Sequence, residues 1–188
     1  KNFRWEIGPL ASFANLRADS GCDDAAALLN FAGSTFLKLA NYAEAEPLLR
    51  RELEINEQQV VPVPSHVVGS MNHLAVLLKR TYRHPEAETF YRRALEFAEH
   101  QLVHDYTCLV GALINLGDFL ILKDEGSEGC SEAELHIRRA LEICPQYLDS
   151  DPHLVAALNI LGKILTFKDE GRSEAESHLR QALKISKQ

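Results

Sequence analysis

The chain of 188 residues is 46% hydrophobic and 25% charged, with a formal net charge of −7. That balance argues against a nucleic-acid partner, whose phosphates demand a basic surface. No apolar run approaches the roughly 20 residues that span a bilayer, and no signal peptide is visible, so no membrane partner is expected.

Residues 1–23 stand apart from the rest of the chain. Trp5, Leu10, Phe13 and Leu16 share one helical face, with Gly8-Pro9 as its start and Ala18-Asp19-Ser20-Gly21 as its stop. They are expected to form a helix capping the remainder, or the tail of an upstream domain. The chain begins at Lys1 without an initiator Met, so it reads as a piece of something longer.

From residue 24 on, one pattern recurs. A large residue, a small residue and a second large residue come first, as Leu29, Gly33 and Phe36. The set returns as Met71, Ala75 and Leu78, as Leu113, Gly117 and Leu120, and as Leu158, Gly162 and Leu165. The small residue lets one helix approach its antiparallel partner closely, where a larger side chain would force the pair apart. A second helix follows each time, marked by Ala45, Ala87, Ala133 and Ala175, which lie 42, 46 and 42 residues apart. Its outer face carries Glu46→Arg50, Glu88→Arg92, Glu134→Arg138 and Glu176→Arg180. These are i,i+4 pairs with Glu nearer the N-terminus, the favourable order, each contributing about 0.2–0.5 kcal/mol on a solvated face.

The period makes the chain a repeat array, divided at about 24–62, 63–105, 106–150 and 151–188. In the second unit, Met71, Leu74, Ala75 and Leu78 form an apolar helix face, and Pro85 opens the next helix. The turn Lys123–Cys130 in the third unit is longer than the others, and Lys168-Asp169-Glu170-Gly171 is its twin. In both, a Lys followed by Gly is expected to stop the helix with Gly in a left-handed cap.

These residues resemble the tetratricopeptide repeat (TPR). The 42-residue spacing is similar to the subclass found in kinesin light chains, longer than the usual unit of about 34 residues. In that subclass a linker precedes each first helix, here Pro62-Val63-Pro64-Ser65-His66 and Asp149-Ser150-Asp151-Pro152-His153. Pro145, placed just past a second helix, matches the family's terminal proline. Glu52 departs from the pattern, since the family prefers Ala there. The resemblance implies an all-α fold, a right-handed α-solenoid of about four TPR helical hairpins with an N-terminal extra helix.

In such arrays the first helices line a concave groove. The resemblance then puts Asn30, Ser34, Lys38, Asn72, His73, Lys79, Asn115, Asp118, Asn159 and Lys163 in it as candidate peptide-binding residues. Asn30, Asn72 and Asn159 share one repeat position. An Asn amide both donates and accepts, which suits the backbone of an extended ligand; alternatively these residues order a turn or a neighbouring repeat. Lys38, Lys79 and Lys163 against Asp118 alone point to an acidic ligand. The two-carboxylate clamp of heat-shock cochaperones is not matched, because its Lys and Asn positions hold Asn30 and Ser34.

No catalytic, metal or cofactor site is expected. His100, His104 and Cys108 have i,i+4,i+8 spacing, but Asp105 and Tyr106 mark a helix end before Cys108, so a surface turn is the reading. There is no Gly-rich phosphate loop and no Ser-His-Asp arrangement with supporting context. Cys22, Cys108, Cys130 and Cys144 show no C-x-x-C pairing and read as reduced thiols of a cytoplasmic protein, with a Cys130–Cys144 disulfide as the alternative. The expected function is a scaffold binding an extended acidic peptide. The alternatives are a sensor segment of a larger multidomain protein, such as a bacterial signalling ATPase, and self-association through Leu179, Leu183 and Ile185 of the last helix.

Overall fold

The computed structural model describes residues 8–19, 24–59, 61–100, 106–123, 127–147, 152–166 and 171–186. Every regular element among them is helical: α1 (Gly8–Asp19), α2 (Ala25–Lys38), α3 (Tyr42–Gln58), α4 (Pro64–Arg80), α5 (His84–His100), α6 (Tyr106–Lys123), α7 (Ser127–Tyr147), α8 (Pro152–Thr166) and α9 (Arg172–Ile185). The chain divides into two compact units, residues 1–94 and 95–188, with the boundary inside α5.

In the first unit α2 and α3 form a hairpin, α4 packs against α3, and α1 packs against α2. The α2–α3 turn is closed by Ala40 at φ 57°. Asn41 N–H bonds to Phe36 O at 2.9 Å and Ala40 N–H to Leu37 O at 3.1 Å, the paired bonds of a Schellman cap. Tyr82, at φ 61°, closes α4 in the same way, with Arg83 N–H on Leu78 O at 2.9 Å. The left-handed caps thus fall on Ala40 and Tyr82. Gly171 does not supply one: its φ is −92° and it precedes α9. A Cβ there would lie 2.7 Å from the Leu165 carbonyl oxygen, so glycine is required by space. The twin turn at 124–126 lies outside the described residues.

In the second unit α6–α7 and α8–α9 are hairpins, and α8 packs on both α7 and α6. The small residues hold their expected place. A Cβ on Gly33 would sit 2.6 Å from Leu49 Cδ2, one on Gly117 2.7 Å from Ile137 Cδ1, and one on Gly162 2.7 Å from Leu179 Cδ2. In each hairpin the glycine therefore takes a large side chain of the second helix at close range.

The four Glu–Arg pairs form, at 2.7, 3.0, 2.8 and 2.5 Å in chain order. The same faces also tie successive repeats together. Arg83 reaches Glu46 at 2.8 Å, Arg93 reaches Glu57 at 2.9 Å, Arg138 reaches Glu174 at 3.0 Å, and Arg139 pairs with Glu99. On Glu46, burial works against ionisation, but hydrogen bonds from Arg50 and Arg83 outweigh it and hold the carboxyl below its usual range.

Other expectations are corrected. α1 has the predicted start and stop but buries Ala14, leaving Phe13 and Leu16 exposed; the side chains of Trp5 and Leu10 lie outside the described residues. α7 runs through Pro145 to Tyr147, so that proline is not beyond the helix; helix ends fray and their limits shift by one or two residues. Cys108 lies in α6 while α5 ends at His100, so these two do not share a helix; His104 lies outside the described residues. Cys130 and Cys144 are free thiols and not joined to one another. By length and composition alone α6 could cross a membrane, although Leu109, Leu113, Leu116, Phe119 and Leu120 are buried within the unit.

Candidate functional site

The inner face of α3 begins like that of every other second helix, with Ala45 fully buried. Two turns later the same face reaches Glu52, where the other repeats have Ala94, Ala140 and Ala182. One turn further it carries Asn56, matching Ala98 and Cys144. Helical periodicity leaves all three on one side, and α4 closes over them with Ser70. The exposures of Glu52, Asn56 and Ser70 are 3%, 2% and 0%. Carboxylates are almost never buried to this extent without a charged partner.

Hydrogen bonds knit these groups to the first helices. Asn30 Nδ2 donates to Glu52 Oε1 at 2.8 Å and contacts His73 Nδ1 at 3.1 Å. The amide nitrogen has no lone pair, so Nδ1 accepts and the proton of the neutral imidazole sits on Nε2. Asn56 Nδ2 donates to Ser70 Oγ at 2.8 Å. The Ser70 hydroxyl lies 2.8 Å from both Glu52 Oε1 and His66 O, and donates its one proton to either.

Two acceptors remain unsatisfied: Glu52 Oε2 and Asn56 Oδ1 are buried and have no hydrogen-bond partner. Leaving such a group unpaired costs about 1–3 kcal/mol, and more when it is charged. Burial raises the Glu52 pKa above its ordinary 4.5, and the hydrogen bonds from Asn30 and Ser70 offset this only in part. Among the described residues no cation acts on it. His73 is pushed the other way: burial, and secondarily the Lys38 charge, lower its pKa and keep the ring neutral.

Around this cluster α2, α3 and α4 leave a cavity of about 510 Å³. Glu52 and Asn56 lie on the α3 side, Asn30 and His73 on the first helices, and Asp24, Gln59, Ser65 and His66 also line it. A nucleophilic centre is not formed here, because Ser70 is fully buried and its hydroxyl meets Glu52 and a carbonyl rather than an imidazole.

Of the sequence-predicted positions, the structure brings Asn30 and His73 into contact at this cavity, with Lys38 exposed on the same helix as Asn30. Asn30 is engaged inside the protein by Glu52. Ser34 bonds back to Phe31 O at 3.2 Å. Asn72 is half-buried with its Oδ1 unpartnered, and Lys79 is half-buried on α4. In the second unit, Asn115 and Asp118 are half-buried on α6, while Asn159 and Lys163 are exposed on α8. Sequence reasoning missed Glu52, Asn56 and Ser70 as a site. The usable signal was the departure from Ala at position 52, repeated one turn later at Asn56.

The tetratricopeptide-repeat family matches at residues 67–101. No curated protein matches the chain in sequence. Among solved structures, the apo form of RapI is similar with a TM-score of 0.73 at 17% identity, over 86% of this chain and 56% of that one. BtubC (BKLC) from P. vanneervenii gives 0.68 at 23% identity, over 96% of this chain and 68% of that one. A kinesin-light-chain-type protein from Podospora anserina with nearly identical TPR-like repeats gives 0.59 at 16% identity, over 98% and 96%. The chain thus spans little more than half of the RapI chain it resembles. One tetratricopeptide repeat is thus matched in sequence at residues 67–101, and the chain as a whole has the fold of kinesin-light-chain-like repeat proteins.

Proposed function

We propose that this chain is a non-catalytic protein-interaction scaffold, and that the first-helix face of residues 1–94 binds an extended segment of another protein. The observation that carries this reading is the polar cavity between α2, α3 and α4, lined by Asn30 and His73 from the first helices. Repeat arrays bind through such faces because successive first helices present side chains at regular intervals. The exposed Lys38, whose charge is felt at His73, supports the preference for acidic residues next to the cavity. A cytoplasmic location fits the free thiols.

Selection from a random peptide-display library tests the reading. Peptides with acidic residues should be enriched on the wild-type protein and depleted about tenfold on Lys38→Glu. A folded protein that selects nothing contradicts peptide binding. A second reading, self-association, rests on α9, where Leu179 and Leu183 are exposed beside a groove of about 380 Å³. Concentration-dependent sedimentation of the wild type, abolished by Leu183→Glu, would favour it. The resemblance to part of RapI also fits a sensor segment in a larger polypeptide, whose partner would be a neighbouring domain.

A further inference from the structure

We propose that the cavity between α2, α3 and α4 is a subsite for one cationic N–H donor, the ammonium or guanidinium of a lysine or arginine side chain in the bound segment. This inference rests on the peptide-binding reading and reverses, at this one position, the acidic preference of the face around it.

Among the described residues Glu52 has no charged partner. Partly buried carboxylates on the second helices have Arg partners: Glu46 has Arg50 and Arg83, Glu88 has Arg92, and Glu134 has Arg138. Glu52 is more deeply buried than any of these, and the groups bonded to it, Asn30 and Ser70, carry no charge. A buried carboxylate without a countercharge is destabilising, so its presence in a hairpin that could hold Ala calls for a ligand that supplies the charge.

The hydrogen-bond inventory sets the ligand's polarity. Glu52 Oε2 and Asn56 Oδ1 are both acceptors, both buried and both unpartnered, and both residues line the cavity. An incoming group must therefore donate at least twice. Ammonium offers three donors and guanidinium five, and neither accepts. A carboxylate or phosphate would place acceptor against acceptor beside Asp24 and Glu52. At about 510 Å³, the space admits either side chain with part of its methylene stem. The facing titratable groups are Asp24 next to α2, His66 and His73 on α4, and Lys38 at the far end of α2; the neutral His73 adds no repulsion.

Two probes separate this proposal from the reading beneath it. The first is a positional-scanning peptide library with Arg, Lys, citrulline, norleucine or Glu fixed at each position in turn, applied to the wild type and Glu52→Gln. The variant keeps the shape and the Asn30 acceptor while removing the charge, and its melting temperature checks that it folds. The second is NMR titration with N-acetyl-arginine amide and N-acetyl-lysine amide, following the Asn30 and Asn56 side-chain amides, with N-acetyl-citrulline amide as the neutral control. The expected result is selection of Arg or Lys over citrulline and norleucine at one position, reduced about tenfold or more in Glu52→Gln while selection at other positions persists. Amide shifts with the cationic probes alone should accompany it, and whichever probe binds more tightly names the side chain. Titration shifts that need Glu52, in a protein that selects no peptide, would uphold the cation subsite and remove the peptide reading. Unchanged selection in Glu52→Gln, selection of Glu, or no response to either cation would overturn the proposal.

Discussion

The α3–α4 junction and the α7–α8 junction are built on the same repeat geometry and filled in opposite ways. At α7–α8 the corresponding repeat positions hold Ala140, Cys144 and Ala157, all buried. At α3–α4 the matching residues are Glu52, Asn56 and Ser70, equally buried and bonded to one another through hydroxyl, amide and carboxylate. The first arrangement is what packing asks for: small apolar side chains that let two helices meet without a polar group to satisfy. The second carries an uncompensated carboxyl and two unpartnered acceptors, which packing alone does not explain. Where one scaffold tolerates both, the polar junction is the place to look for activity, since active sites often retain features that reduce stability.

The largest test of this contrast transplants the charge. Ala140→Glu should destabilise the second unit by about 3–5 kcal/mol, the scale for an uncompensated buried charge, measured as a fall in the urea midpoint. A loss below about 1 kcal/mol, far under that scale, would show that this junction accepts a carboxylate as readily as α3–α4 does. The reverse change, Glu52→Ala/Asn56→Ala/Ser70→Ala, copies the apolar junction and should stabilise the first unit by about 1–4 kcal/mol, the range seen when buried ionic groups are replaced by packed apolar ones.

Acidity sharpens the comparison next. Glu52 has a raised pKa in the folded state, so folding favours its protonated form. Its contribution is fully present below the ordinary value of 4.5 and is lost as pH rises through the raised folded value. Carboxyls held by arginines, such as Glu46, run the other way: their contribution is present above 4.5 and lost as pH falls. The stability of wild type minus that of Glu52→Gln should therefore decline as pH rises above the ordinary 4.5 and flatten once the raised folded value is passed. A difference curve that rises over this range would contradict the assignment. Smallest is Ala40→Gly, which relieves a left-handed residue at φ 57° and should add up to about 1 kcal/mol, read from the melting temperature.

The helical hairpins were legible because Gly33, Ala75, Gly117 and Gly162 and their large partners repeat at fixed intervals, and close packing leaves few residue types for those positions. The Glu–Arg pairs were equally plain, since i,i+4 contacts depend only on helix geometry. Their second partners were not: Arg83–Glu46 and Arg138–Glu174 depend on how neighbouring hairpins stack. Asn30 and His73 were picked as groove residues, yet their mutual contact arises from α2 and α4, 43 positions apart. Glu52 was noticed only as an exception to the pattern. Its meaning needed Ser70 and Asn56, brought to it by α4 and the next turn of α3. On α1 the amphipathic reading misplaced Phe13 and Leu16, which are exposed, while Ala14 beside them is buried.

The most direct measurement of the central claim uses the triple variant Glu52→Ala/Asn56→Ala/Ser70→Ala with two readouts on one preparation: urea-denaturation stability and selection from the positional-scanning library. Stability should rise while selection of a basic residue disappears. A variant that selects the same peptides as the wild type, whatever its stability, would show that the buried cluster is a packing solution and not a binding site.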